Sequence, residues 1–232
     1  MYNLKKIIKD FPIFRRKING RPLVYFDNAA TTQKPKIILE KLKKQYANSH
    51  SNVHRGAYKI AEESTEYFEN ARKKVADFIG ARSPKEIIFT RNATESINLV
   101  AYSLAKTFKR GDRILTTLSE HHSNFVPWMR VAKERGLKFD VVNLTSEHSF
   151  DFADFRKKLT KKTKLVAVSY ISNVSGYIYQ VRRICREARK TGAFVLVDGA
   201  QSAGHMPVNV KKIGCDFFAL SGHKMLGPSG IG

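Results

Sequence analysis

From residue 86 to residue 220 the chain alternates: a short apolar run, β-branched or aromatic, a polar turn, then a longer stretch with helical spacing. Residues 86–90, 113–117, 137–144, 164–170, 193–197 and 216–220 read as strands, being short, apolar and bounded by turn residues. Helical periodicity fills the intervals at 97–108, 126–135, 151–159 and 181–190. Strands alternating with helices predict an α/β fold with a mostly parallel sheet covered on both faces. In such a sheet all strands point one way, so the turns after them collect along one rim, where ligands of open α/β sheets bind.

Before that region lies a less regular part. Residues 22–26 read as a short extended run into Asp27-Asn28-Ala29-Ala30-Thr31-Thr32, a loop of small and polar residues that a ligand could approach closely. Helical stretches follow at 35–46 and 58–79, separated by a polar loop, and no repeat, low-complexity tract or linker interrupts the chain. Leu4, Ile7, Ile8 and Phe11 mark one face of a short helix, which predicts an N-terminal helix docked on the body. No apolar run reaches membrane-span length, and Lys5, Lys6, Lys9 and Asp10 break up any signal-peptide core.

A soluble, cytoplasmic protein is expected, with no membrane partner. Cys185 and Cys215 are too few for a disulfide framework at 232 residues, have no CxxC partner, and read as structural thiols in a reducing compartment. No histidine and cysteine spacing supports a metal site. The formal net charge of +22, from 42 Lys and Arg against 20 Asp and Glu, is spread through helical stretches with no recognised nucleic-acid module, so it implies at most nonspecific, salt-sensitive polyanion binding.

The polar residues at the strand ends carry the functional argument. Thr94, His121, Asn173, Asp198 and Lys224 each follow a different predicted strand. Asp198 ends the run Phe194-Val195-Leu196-Val197, where an uncompensated carboxylate would be costly to bury, so it is expected to face a cation or a nitrogen donor. Arg91-Asn92-Ala93-Thr94-Glu95 turns from a strand into a helix start, which suits an anion such as phosphate, although Asn92 or Thr94 could equally cap the helix. Lys224 sits in Ser221-Gly222-His223-Lys224-Met225-Leu226-Gly227. A lysine partly withdrawn from water there has a lowered pKa and can attack a carbonyl, with Ser221 and His223 as anion donors beside it. A lysine, a carboxylate, phosphate donors and a flat histidine are the groups that pyridoxal phosphate requires.

The chain resembles the amino-terminal part of class V aminotransferase-fold enzymes, and specifically cysteine desulfurases of the SufS type. The resemblance spans nearly all of it. It rests on Tyr25-Phe26-Asp27-Asn28-Ala29-Ala30, Asn52-Val53-His54-Arg55-Gly56, Glu120-His121-His122-Ser123-Asn124, Val197-Asp198-Gly199-Ala200-Gln201 and Phe218-Ala219-Leu220-Ser221-Gly222-His223-Lys224. It implies the three-layer large domain of fold type I, incomplete at the C-terminus, with residues 21–232 in that domain and 1–20 contributing to a small one.

By the same resemblance, pyridoxal phosphate would bind Lys224 through its aldehyde, Asp198 through its ring nitrogen and Gln201 through its ring hydroxyl. His121 would stack on the ring and move protons, Thr94, Ser221 and His223 would hold the phosphate, and Ala29 and Asn173 would lie against the substrate. The implied reaction turns L-cysteine into alanine and leaves persulfide sulfur for an acceptor protein, as in iron–sulfur cluster assembly.

Relatives are longer, and neither Cys185 nor Cys215 matches their persulfide-carrying cysteine. They also insert an antiparallel strand, starting near Gly230-Ile231, between two strands already present here. Two classes of function follow: a desulfurase needing a homodimer partner or a complementing C-terminal half, or a noncatalytic interaction protein. Selenocysteine lyase and other class V transaminases or lyases share the scaffold.

Overall fold

The computed structural model describes residues 2–232. The chain divides into two compact units, one made of the segment up to Ile88 together with Gly222–Ser229, the other of Phe89–Ser221 with Gly230–Gly232.

In the first unit, helix α1 (Leu4–Lys9) is followed by a hairpin of β1 (Lys17–Ile18) and β2 (Arg21–Pro22), then helices α2 (Lys36–Asn48) and α3 (Lys59–Ile79). The hairpin turns on Asn19 and Gly20, both at positive φ (51° and 76°), the left-handed pair a two-residue turn demands. Of the extended run expected at 22–26, Pro22 lies in this ladder and the rest belongs to no strand or helix. Helix α3 buries Ala61, Ser64, Ala76 and Ile79 and ends at left-handed Gly80, whose N–H caps the Ala76 and Asp77 carbonyls. Helix α1 does not dock as expected: it has no buried residue, and Leu4 is 68% exposed.

The second unit is a five-stranded parallel sheet. After α4 (Ala93–Leu104), β3 (Arg113–Thr117), α5 (Val126–Arg135), β4 (Lys138–Val142), α6 (Phe152–Lys158), β5 (Thr163–Ser169), α7 (Val181–Arg189), β6 (Phe194–Asp198), α8 (Val210–Ile213) and β7 (Phe217–Ala219) follow in order. The strands lie as β4-β3-β5-β6-β7. Leu165 and Ala167 of β5 pack with Ile97 and Ala101 of α4 and with Trp128 and Val131 of α5 in one core. Their alternating neighbours Val166 and Val168 are buried on the other face. Right-handed crossovers put α6 and α7 on that face, because the chain there advances opposite to β3-α5-β4. The result is a three-layer α/β unit, as the alternation predicts.

One expected strand is missing. Residues 84–86 form a 3-10 turn and 87–90 belong to no strand. Thr90 and Gly232 exchange both backbone bonds, at 2.8 Å each. A strand forms where neighbours pair along its length, and this pairing is confined to one residue on each side. The apolar pattern of Ile87-Ile88-Phe89 therefore leaves Ile88 68% exposed.

Candidate active site

The connection after β3 runs to β4 on one side, and that after β5 runs to β6 on the other. The carboxyl ends of β3 and β5 therefore flank the switch point at which such sheets open a ligand crevice. His121 and Asn173 are on the turns leaving these two strands, both outside the fully buried core. Ser123 donates its backbone N–H to His121 Nδ1 at 3.1 Å, with its hydroxyl 2.7 Å from the same atom. A nitrogen accepting from a peptide N–H carries no proton, so the ring proton of neutral His121 is on Nε2.

Asp198 ends β6 in register with Ser169 of β5 and Ala219 of β7. It is 6% exposed, and Oδ1 accepts the Ala200 N–H at 2.9 Å. Gly199 passes so close to the next strand that a Cβ there would enter the Phe218 ring, and its N–H donates to the Ala219 carbonyl at 2.7 Å. Gln201, 8% exposed, lies one turn beyond, its carbonyl accepting from His205 Nδ1 at 2.7 Å.

Thr94 and Ser221 come together through the residue between Asn92 and Thr94. The Ala93 N–H donates to Ser221 Oγ at 2.8 Å, and Asn92 Oδ1 accepts the Glu95 N–H at 2.9 Å. Asn92 is thus the helix cap that the sequence left open, and Thr94 is not. Among the described residues the N–H and hydroxyl of Thr94 make no hydrogen bond. Ser221 Oγ accepts from Ala93 and so has its own proton to donate. Three donors at the start of a 12-residue helix fit a phosphate.

In the other unit, Lys224 ends a 3-10 turn, Gly222–Lys224. Its neighbour His223 has Nδ1 3.0 Å from Thr31 Oγ1, and its ring is held below the usual histidine pKa by burial first and then by the charges of Lys224 and Lys34. Ala29 is exposed in the loop that Tyr25 closes through its hydroxyl, which donates to the Asp27 and Thr31 carbonyls at 3.0 and 2.7 Å.

Three polar residues with no expected role are built into these regions. Glu120 is buried between β3 and β5, Tyr179 is 2% exposed with its hydroxyl against Ser119, and Lys34 reaches the His223 carbonyl at 2.8 Å. Glu120 carries the same signal as Asp198, an acid just past an apolar strand. Lys34 carries none, since a lysine ahead of a helix is ordinarily solvated.

A three-layer unit around a parallel sheet, with an acid, an amide and a free helix start at its strand ends, is the frame of a class of cofactor enzyme, and the sequence agrees. Residues 24–232 match the Aminotransferase class-V family, and the chain belongs to it; members of that family work with pyridoxal phosphate. It is 52% identical over 225 residues to a probable cysteine desulfurase of Synechocystis sp., covering 97% of this chain and 54% of that protein. It is 47% identical to a probable cysteine desulfurase of Halalkalibacterium halodurans, covering 99% and 57%. Among solved structures, the apo cysteine desulfurase of Thermococcus onnurineus superposes with a TM-score of 0.92 at 45% identity, over 100% of this chain and 56% of that one. Cysteine desulfurase CsdA from Escherichia coli gives 0.88 at 36%, over 100% and 57%. The chain thus spans a little over half the length of these relatives.

Proposed function

We propose that this chain provides the cofactor-holding part of a pyridoxal-phosphate-dependent cysteine desulfurase of the SufS type, releasing alanine from L-cysteine and passing sulfur to an acceptor protein. The observation that carries the reading is the Ala93–Ser221 bond, which joins the α4 N-terminus to a residue two positions past β7 and leaves the donors of Thr94 and Ser221 for one anion. Bound pyridoxal phosphate supplies an electron sink as long as its ring nitrogen stays protonated.

In this reading Asp198 holds that proton, Gln201 bonds the ring hydroxyl and Lys224 takes the aldehyde carbon. Thr94, Ser221 and His223 hold the phosphate. His121 covers the ring and moves a proton through Nε2, the nitrogen that Ser123 leaves protonated, while Ala29 and Asn173 border the substrate. Residues 1–20 belong with a small domain and 21–232 with the large one. The reaction also needs a nucleophilic thiolate, a role that the buried Cys185 and the half-buried Cys215, both with thiol pKa values raised by desolvation, do not suit. A homodimer partner or a complementing carboxyl-terminal half would supply the rest, in the cytoplasm, in service of iron–sulfur cluster assembly.

Pyridoxal phosphate titrated into the purified chain, alone and with the carboxyl-terminal half of a relative, tests this by absorbance. Weak or no binding is expected alone, and binding with the added half that is lost in Lys224→Ala. Equal absorbance in wild type and Lys224→Ala under both conditions overturns it. A second reading, a noncatalytic pairing protein, is favoured by α2, which buries no residue and exposes Ile37, Leu39, Leu42 and Tyr46.

A further inference from the structure

The turn that bears Lys224 is gripped from residues 31–34. Its main acceptor is the carbonyl oxygen of His223, one half of the peptide bond that joins His223 to Lys224. That oxygen receives the Thr32 N–H at 3.0 Å, the Thr32 hydroxyl at 2.9 Å, the Thr31 hydroxyl at 3.3 Å and the Lys34 ammonium at 2.8 Å. Lys34 also donates to the Thr32 carbonyl at 2.7 Å, so one ammonium ties the two strands of the contact together.

The grip continues past Lys224, where the Leu226 N–H donates to Thr32 Oγ1 at 2.9 Å. Leu226 sits at φ +66°, a left-handed conformation that a branched side chain resists and that persists only where its surroundings impose it. The turn has its own bonds, from the Met225 and Gly227 N–H groups to the Gly222 carbonyl at 3.0 and 2.9 Å, and the contacts from residues 31–34 add to them.

Lys34 is not an ordinary surface lysine. Burial lowers its pKa, and among the described residues no carboxylate pairs with it. A partly desolvated ammonium whose partners are carbonyls makes charge-assisted bonds, stronger than those between neutral groups. Of the four donors on the His223 oxygen it is the only cation. Lys5, Lys6 and Lys9, by contrast, are exposed.

We propose that Lys34 is a positioning residue for Lys224: its ammonium clamps the His223–Lys224 peptide and thereby fixes where the Lys224 side chain leaves the backbone. This rests on the assignment of Lys224 as the cofactor lysine, which the experiment separates from the clamp itself. Lys34→Met keeps the length and the apolar stem but removes the donors, whereas Lys34→Arg keeps a cationic donor. Urea unfolding serves as the control for global stability.

The cofactor-free reading is amide hydrogen exchange over residues 222–227 in the full chain. About tenfold faster exchange is expected in Lys34→Met, corresponding to the loss of one charged hydrogen bond, with Lys34→Arg within about threefold of wild type. The second reading is the site of label after pyridoxal phosphate is reduced onto the chain with borohydride, in the presence of the carboxyl-terminal half of a relative. The Lys224 share of the label should fall at least about fivefold in Lys34→Met and recover in Lys34→Arg, in line with the same lost bond.

Unchanged exchange in Lys34→Met overturns the clamp, whatever the labelling shows. Faster exchange with an undiminished Lys224 share also overturns it, because the turn would then loosen without displacing the amine. Label absent from Lys224 in wild type overturns the cofactor assignment instead, and exchange alone then decides whether Lys34 holds the turn.

Discussion

Glu120 and Ser169 are joined twice across the switch point of the sheet: the Ser169 N–H donates to Oε1 at 3.0 Å and the Ser169 hydroxyl to Oε2 at 2.7 Å. Thr117 Oγ1 completes the first oxygen at 2.6 Å and Asn124 Nδ2 the second at 2.6 Å. The Asn124 amide cannot turn over, because its Oδ1 accepts from Trp128 Nε1 at 3.0 Å. Each carboxyl oxygen therefore faces one fixed N–H and one hydroxyl able to reverse. His121 stands next to Glu120 inside the loop that this network ties down.

That arrangement accepts a carboxyl group and rejects an amide. The Gln Nε2 of Glu120→Gln would meet either the Ser169 N–H or the Asn124 amide, donor against donor in the core. At pH 5 we expect Glu120→Gln to lose about 1–3 kcal/mol of stability, the cost of a buried donor with no acceptor, read from the urea midpoint at constant m. A midpoint equal to wild type would show that the network tolerates a donor and is looser than its geometry implies.

The same carboxyl group sets a pH dependence. Burial pushes Glu120 from 4.5 up to about 7, against the four hydrogen bonds that pull it down. A raised carboxyl pKa means that the folded state holds the proton more tightly. Its contribution is therefore full below about pH 4.5, falls as pH rises to about 7, and is level above. The whole swing is on the order of 3 kcal/mol. The stability gap between wild type and Glu120→Gln should shrink over that interval, and a gap constant from pH 5 to pH 8 would rule out titration of Glu120 there.

The parallel sheet was legible because its signal is local: Val195-Leu196-Val197 can hardly be anything but a buried strand, and Asp198 then ends it. Residues 86–90 have the same pattern yet form no strand, because pairing depends on neighbours that residue order does not report. Leu4, Ile7 and Ile8 likewise show helical spacing, which fixes the helix but not what covers it. At the site, the spacing left Asn92 and Thr94 equal as caps, and only the backbone path that brings Asn92 Oδ1 to the Glu95 N–H decides for Asn92; that Ser221, far along the chain, takes the Ala93 N–H was not legible at all. Lys34 was invisible for a related reason, since its partner His223 is 189 residues away.

Gly199 tests how closely β6 and β7 must approach to hold Asp198. Gly199→Ala puts a methyl group into the Phe218 ring, and overpacking of this kind costs about 1–3 kcal/mol. Shrinking the obstacle should relieve it. In a double-mutant cycle with Phe218→Leu, the two substitutions together should be less damaging than their sum by at least about 1 kcal/mol. Additive losses would mean that Gly199 is needed for its backbone and not for the space beside Phe218.

Cys185 and Cys215 bear on where the sulfur chemistry resides. Cys185 is buried on α7, beside the sheet, and Cys215 lies two residues before β7. Burial pushes both thiols up to about 12, with the charge of Asp216 adding to each. The thiolate is the nucleophile, so at pH 8 each thiol of the folded chain should react with a disulfide reagent about a thousandfold more slowly than in urea, where an ordinary thiol pKa near 8.5 returns. Mass spectrometry of the labelled peptides distinguishes the two. If either cysteine reacted in the folded chain at its unfolded rate, it would become a candidate sulfur carrier, and the thiolate of the proposed reaction could reside in this chain.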